Sequence, residues 1–298
     1  EAERQRRDER LSQGGGSDQL VPELRTGGAV EPFPLVIELD AWNIRERNAR
    51  DWGQTAQLRQ SGQEPEGWHW VYGGICFRLS QRVETAGGRS LILSRGTVMT
   101  RGGVDALKQP LWAEAMRHGL GQAQEVLVIA DGAVWIWNVA ADRFAPARQR
   151  LASWHVLQHL WTVARTLYPE DEAAASAGMG PLKEKLLTSE AVAVITELDE
   201  VIKRLRGARR AAVQTERNYL ENNRERLDYR GVEERGEPGG SGAMESTCKQ
   251  YQGRFHRSGQ FWTQTGDEAI LCLETFWRNG RWSLLFPHVP ADFDPSKN

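Results

Sequence analysis

Residues 125–132 read EVLVIADG. Glu125 opens a short continuous apolar run, Val126 to Ala130, which Asp131-Gly132 closes. A brief apolar run bounded by a turn signal has the form of a central strand buried on both faces. Strands of that kind are covered by helices, so the segment points to an α/β protein. In open α/β sheets ligands bind at the carboxyl ends of the strands, which makes Asp131 a candidate site residue.

Upstream, Leu35, Ile37 and Leu39 alternate with Val36, Glu38 and Asp40, a period of two that predicts a strand ending at Asp40. WHWVYGGICFRLSQRV (68–83) and RSLILSRGTVM (89–99) predict two further strands around Thr85-Ala86-Gly87-Gly88. Val104, Leu107, Leu111 and Ala115 recur at helical spacing, with Pro110 expected to kink or restart that helix. Just past Gly132, VWIWN (134–138) reads as another strand. From about Leu151 the period turns helical. Leu151, Trp154, Leu157, Trp161, Ala164 and Leu167 make one apolar stripe, stopped by Pro169. Ser189 is a candidate N-cap for a helix using Val192, Ile195, Leu198, Ile202 and Leu205, and Val213, Leu220 and Leu227 predict a longer one. After a Gly-rich break from Gly231 to Gly242, a helix starts near Ala243. The last, about Gly266 to Asn279, carries Ile270, Leu273 and Trp277 on one face and ends at Gly280.

At 298 residues the chain has room for about two structural units. The organisation expected is a flexible N-terminal linker (1–34), a first core segment (35–150), an all-helical segment (151–230), a final core segment (231–288) and a C-terminal tail (289–298). Because the first residue is Glu1 rather than Met, a processed, truncated or partial chain is expected. No apolar run approaches 18 residues and no signal peptide is visible, so no membrane association is expected. Cys76, Cys248 and Cys272 lie far apart without metal-ligand spacing, which fits a reducing, cytoplasmic setting. The net charge of −2 excludes a polycation, yet Lys203 to Arg230 carries nine Lys/Arg against four Asp/Glu. That local +5 allows nucleic-acid contact and equally suits a solvated helix face.

Three carboxylates sit where chemistry is usually placed. Asp40 and Asp131 are expected to end strands, and Glu245 lies just inside a helix behind the Gly-rich turn. If they converge, their mutual repulsion raises a pKa unless cations intervene. Hard oxygen ligands suit Mg2+ or Mn2+. Taken singly, each has an ordinary alternative role, a strand-ending turn for the Asp-Gly or dipole compensation for the Glu.

The run of motifs resembles the transposases of bacterial insertion sequences of the ISKra type, which are DDE enzymes with an RNase H-like catalytic domain. The matching segments are ELDAWNIRER around Asp40, WHWVYGGICFRLSQRV, SRGTVMTRGG, VLVIADGAVWIWN, HVLQHLW, GEPGGSGAMESTCKQYQGRF, GQFWTQTGDEA and ETFWRNGRW, spread from about Leu35 to His288. The resemblance implies an RNase H-like core, a mixed sheet flanked by helices, with an all-helical insertion between the second and third acids. It makes Asp40, Asp131 and Glu245 the catalytic and metal-holding acids, for two Mg2+ or Mn2+ ions. Double-stranded DNA, as element ends and target, is the implied partner, with a homo-oligomer on DNA allowed and a bacterial cytoplasmic, nucleoid-associated location. Two departures stand out. Members often carry Asp-x-x-His after the second acid, where this chain has Ala152 and retains His155. Members also have an N-terminal region ahead of the catalytic domain that this sequence does not include.

Further candidates are mixed. His155 and His159, spaced i, i+4, could hold a metal, but no third ligand is evident and packing or a polar contact is the favoured role. Trp135 and Trp137 could stack on splayed bases, with core packing the commoner fate of such residues. Arg209, Arg210 and Arg217 lie in the basic strip. Arg254, Arg257, Arg278 and Arg281, interleaved with Phe255, Phe261, Trp262, Trp277 and Trp282, suit a phosphate-positioning surface or an amphipathic rim. No nucleophile elbow, P-loop or dinucleotide fingerprint is present. The function expected is metal-dependent DNA cleavage and strand transfer. The alternatives are a catalytically silent DNA-binding remnant and, from the acids alone, an acid–base glycosidase.

Overall fold

The structure, a computed structural model, describes residues 24, 31–47, 55–62, 66–88 and 90–285. The tail at 289–298 and most of the expected linker at 1–34 lie outside the described residues. The elements are β1 (Pro34–Arg47), α1 (Thr55–Gln60), β2 (Glu66–Arg78), β3 (Arg82–Glu84), β4 (Ser90–Ile92), β5 (Gly96–Thr100), α2 (Val104–Arg117), β6 (Glu125–Ala130), α3 (Val134–Arg143) and β7 (Arg148–Leu151). There follow α4 (Ser153–Leu167), α5 (Glu172–Leu187), α6 (Ala191–Arg204), α7 (Gly207–Asn222), α8 (Gly242–Phe255), α9 (Gln264–Arg278) and α10 (Trp282–Leu285). The protein is mixed α/β, with a five-stranded mixed sheet in the order β5-β2-β1-β6-β7, a separate β3-β4 hairpin and flanking helices. Among the described residues no helix is long and apolar enough to cross a membrane.

The chain divides into two compact units. One comprises the described residues up to Val126, Ala141–Pro146 and those from Ala243 on; the other comprises Leu127–Ala140 and Ala147–Gly242.

In the first unit β1 pairs antiparallel with β2, and β2 with β5. Leu35 to Leu39 are buried without a break, Glu38 included, because β1 is covered on both faces. The strand does not end at Asp40, as its period suggested, but runs on to Arg47 with Asp40 opposite Gly73. Asp40 is tolerated there because it is half-buried and its Oδ1 accepts the Ala41 N–H at 2.7 Å. A Cβ on Gly73 would fall 2.2 Å from Met99 Sδ and 2.8 Å from Met244 Cε. The predicted strand pair around Thr85–Gly88 is instead cut into three pieces. A 3-10 turn at Leu79–Gln81 ends β2, the turn joins only the short β3 and β4, and the buried strand resumes at β5. The polar Ser80, Gln81 and Ser94 cannot enter the core strand, and the chain leaves the sheet between them.

Pro110 neither breaks nor restarts α2, which is continuous through it. The carbonyl it deprives of a partner, four residues back, belongs to the exposed Ala106, so it is not left in the core. The helix contributes Glu114, a buried carboxylate bound by Arg117 at 2.9 Å and Arg281 at 2.6 Å, with His118 at 3.5 Å. At the far end of α9, Asn279 donates to the Thr97 carbonyl at 2.8 Å and accepts from its N–H at 2.9 Å, tying that helix to β5. The buried face of α9 is Asp267, Leu271, Cys272, Thr275 and Phe276, not the Ile270, Leu273 and Trp277 face that hydropathy selected. A stripe headed by an aspartate is invisible to a hydropathy count.

In the second unit β6 and β7 are parallel, with Ala130 beside Leu151. VWIWN is not a strand but the start of α3, whose buried residues Ile136, Trp137, Val139 and Ala140 follow helical spacing. Over five residues the two periods are indistinguishable, and the turn at Asp131 sets the helix. Strand β7 (RQRL) carries no apolar alternation, since beside Leu151 its other buried residue is Arg150, 1% exposed and paired with Glu237. Leu151 therefore belongs to a strand, and the helices run from Ser153. Helix α4 buries Val156, Leu160, Val163 and Ala164, a stripe rotated from the predicted one, so that Trp154 faces solvent. Helix α5 was not resolved as a separate helix because Gly178, Gly180 and Pro181 interrupt its pattern. Ser189 does not cap α6. Its φ is 65°, and its hydroxyl donates to Asp228 at 2.7 Å and accepts the Tyr229 and Arg230 N–H groups, bracing the 228–230 loop.

Candidate active site

Helix α8 packs its first turn on the face of β1 that carries Glu38 and Asp40. The Met244 N–H donates to Glu38 Oε2 at 2.8 Å, and Glu245 is the next residue. Glu38 is fully buried and its Oε1 has no partner. Burial pushes its carboxyl up to about 8, and the Glu245 charge adds to the rise, while the amides of Met244 and Ala243 and the charge of Arg95 oppose it. One helical turn beyond Glu245, the buried Cys248 thiol is raised far above its ordinary range. Burial is the main cause, followed by Asp40, to which the thiol is hydrogen-bonded, and by the charge of Glu245. Asp40 and Glu245 are both half-buried; burial above all, with the Asp40 contact and the Glu245 charge adding to it, keeps the Cys248 thiol protonated.

That donor set is two hard carboxylates without a thiolate, which suits Mg2+ or Mn2+ rather than a soft metal. Among the described residues no group of three or more His, Cys, Asp or Glu is arranged to hold a metal ion.

Asp131 belongs to the second unit. Its Oδ1 accepts the Ala133 N–H at 2.9 Å, the turn that starts α3, and its carbonyl accepts the Tyr219 hydroxyl at 2.8 Å. Tyr219 stacks on His159 with ring centroids 3.7 Å apart, and His159 Nδ1 meets Glu216. Burial, then the Asp131 and Glu216 charges, push the Tyr219 phenol up. Gly132, at φ 98°, is required here, since a Cβ would meet Tyr219 Oη at 2.8 Å and Leu151 Cδ1 at 2.9 Å. His159 is thereby committed to a polar contact and a stack.

Ala152 sits one step past the Ala130–Leu151 pair, level with Asp131 at the carboxyl ends of the parallel strands. Its N–H donates to the Ala130 carbonyl at 2.7 Å, and it is the N-cap residue of α4, with no side chain to cap it. His155 stands in the first turn of that helix. The Gly-rich segment leading to α8 is pinned by Glu237, which binds Arg148, Arg150 and Arg235. Burial opposes its charge, but the three guanidinium groups hold its carboxyl at about 2.

The candidate DNA contacts differ in character. Arg209 and Arg210 are exposed on α7, whereas Arg217 pairs with Asp199 at 2.8 Å and Glu221 at 3.3 Å. Arg257 is exposed; Arg254 faces Glu274 at 3.8 Å. Trp137 is buried with the Arg226 guanidinium 4.6 Å over its ring, so its face is occupied, while Trp135 is half-buried.

Glu38, Cys248 and Tyr219 were not anticipated. Glu38 was within reach, because period two puts it on the same strand face as Asp40. Tyr219 lies 88 residues from Asp131 and carried no local signal. In the same unit as Asp40, the fully buried Asp267 lies next to Glu46, which Arg101 binds. Burial and Glu46 push the Asp267 carboxyl up to about 8.

No family model matches the chain, and a comparison with curated proteins finds no match.

Proposed function

We propose that this chain is the catalytic domain of a DDE transposase with an RNase H-like core. Metal-dependent cleavage and joining of double-stranded DNA would be its reaction. The observation that carries the proposal is the 2.8 Å bond from the Met244 N–H to Glu38, which seats the first turn of α8, with Glu245 the next residue, against β1 two positions from Asp40. The strand order is compatible with the core that the resemblance implies. The resemblance alone assigns Asp131, just past the carboxyl end of β6 in the second unit, as the remaining acid.

Two Mg2+ or Mn2+ ions held by these acids would supply Lewis-acid stabilisation of in-line displacement at phosphorus and lower the pKa of the attacking water or 3′-hydroxyl. The chain's own part is positioning. Glu38 holds the first turn of α8 and with it Glu245, the Asx turn at Asp131 fixes the backbone of that acid, and Cys248 remains a thiol. Exposed arginines, Arg209, Arg210 and Arg257 among them, would take phosphates.

Ala152 favours a second reading, a silent DNA-binding remnant, since it leaves the position level with Asp131 without a carboxylate. Nicking of supercoiled plasmid separates the two. The transposase predicts cleavage that needs Mg2+ or Mn2+ and is abolished by Asp131→Asn with DNA binding retained. Metal-independent cleavage that survives Asp131→Asn overturns the mechanism. Absence of cleavage by both the parent and Ala152→Asp, with DNA bound, favours the remnant.

A further inference from the structure

Strand β2 leaves two large aromatic side chains in solvent. Trp68 is 60% exposed and Trp70 52%, while Val71 beside them is fully buried. Alternate residues of a strand share a face, and two such side chains stand roughly 6.6–7 Å apart, about twice the stacking distance of bases. The register sets Arg45 opposite Trp68 and Asn43 opposite Trp70, so these four side chains share that face. Arg45 lies 5.8 Å from the Trp68 centroid and 5.1 Å from that of Phe261, and Arg47 lies 3.6 Å over Phe261. His256 meets the Trp68 ring edge-on at 6.0 Å, and the next residue, Arg257, is exposed. Glu46, the acid between the two arginines, falls on the alternate position and is bound by Arg101.

We propose that Trp68 and Trp70, with Arg45, form a stacking platform for unpaired bases of single-stranded DNA. Exposed tryptophans are costly to leave wet, and here they are interleaved with cations, the pairing that suits a base face and its phosphate together. Bases inside a duplex present no free face, so the platform selects strands that are already unpaired, as at a frayed or cleaved end. The choice of DNA rests on the transposase reading. The platform's own geometry does not depend on catalysis.

The test is fluorescence anisotropy of labelled oligothymidine in EDTA at low salt. Stacking worth about 1–3 kcal/mol per base corresponds to a loss of about 5- to 150-fold for each base unstacked. Trp68→Ala/Trp70→Ala should therefore weaken oligothymidine binding by tenfold or more, and change duplex binding by less than about twofold. Trp68→Phe/Trp70→Phe should stay within a few-fold of the parent, because a stacking face is kept. Asp131→Asn should bind oligothymidine like the parent, so cleavage can fail while the platform stands, and the reverse. Parent binding no tighter than that of the Ala variant overturns the proposal. So does a homo-oligomer that the Ala variant dissociates with oligothymidine binding unchanged, which would make the face an interface between copies. Both positions are exposed, and unchanged circular dichroism verifies folding of each variant.

Discussion

The Met244 amide donates to the Glu38 carboxyl at 2.8 Å across 206 positions of sequence. This bond joins the middle of β1 to the first turn of α8 and sets where Glu245 begins its side chain. A buried acid whose second oxygen is unpaired is costly to keep, and its location beside Asp40 and Glu245 gives that cost a purpose.

Glu38→Leu should destabilise the first unit by about 2–4 kcal/mol, because it leaves the Met244 and Ala243 amides without an acceptor. Glu38→Gln keeps an acceptor oxygen and should cost less than about half as much. Urea denaturation of the two variants measures the difference; equal losses would remove Glu38 from the role of helix anchor.

Stability should fall as pH rises from about 5 to about 8. Glu38 moves from an ordinary 4.5 to about 8 on folding, and Asp267 from 3.8 to about 8. A raised acid binds more protons folded than unfolded. Its contribution is complete below the unfolded pKa and is lost as pH climbs through the folded one, at up to about 1.4 kcal/mol per pH unit for each group. Glu237 has the opposite sign. Held at about 2, it stabilises above its ordinary 4.5 and loses that contribution as pH falls toward about 2. Thermal melts from pH 3 to 9 in EDTA should peak near pH 5, and the alkaline slope should shrink in Asp267→Asn.

Gly132→Ala should destabilise by about 1–3 kcal/mol and displace Tyr219, since the new Cβ meets its hydroxyl at 2.8 Å on a backbone held at φ 98°. Tyrosine absorbance and melting temperature report it. A neutral outcome would show that Tyr219 moves aside at little expense.

Glu237→Gln should be among the more damaging single changes in the second unit, at about 3–5 kcal/mol. It leaves Arg150 buried without its counter-charge and releases Arg148 and Arg235 from the Gly-rich segment. Denaturant melts of Glu237→Gln beside the exposed Glu233→Gln measure the gap.

The amino-acid order alone determined the α/β class, the strand at 125–130, and the start of α8 and both ends of α9 to within a few residues. Those are local properties: a continuous apolar run, a Gly-rich break, a helical period and an Asp-Gly turn need no distant partner. What failed depended on distant partners. β7 is a strand because Glu237, 87 positions from Arg150, neutralises the arginine it buries. Asp267 heads a buried helix face beside Glu46 of β1 and Arg101 just past β5, neighbours more than 160 positions away. α3 is a helix because Asp131 opens it with a turn, although five residues of alternating tryptophan read equally well as a strand. The seating of Glu245 beside the strand that carries Asp40 likewise exists only once α8 lies against β1, because the Met244–Glu38 bond that joins them spans 206 positions.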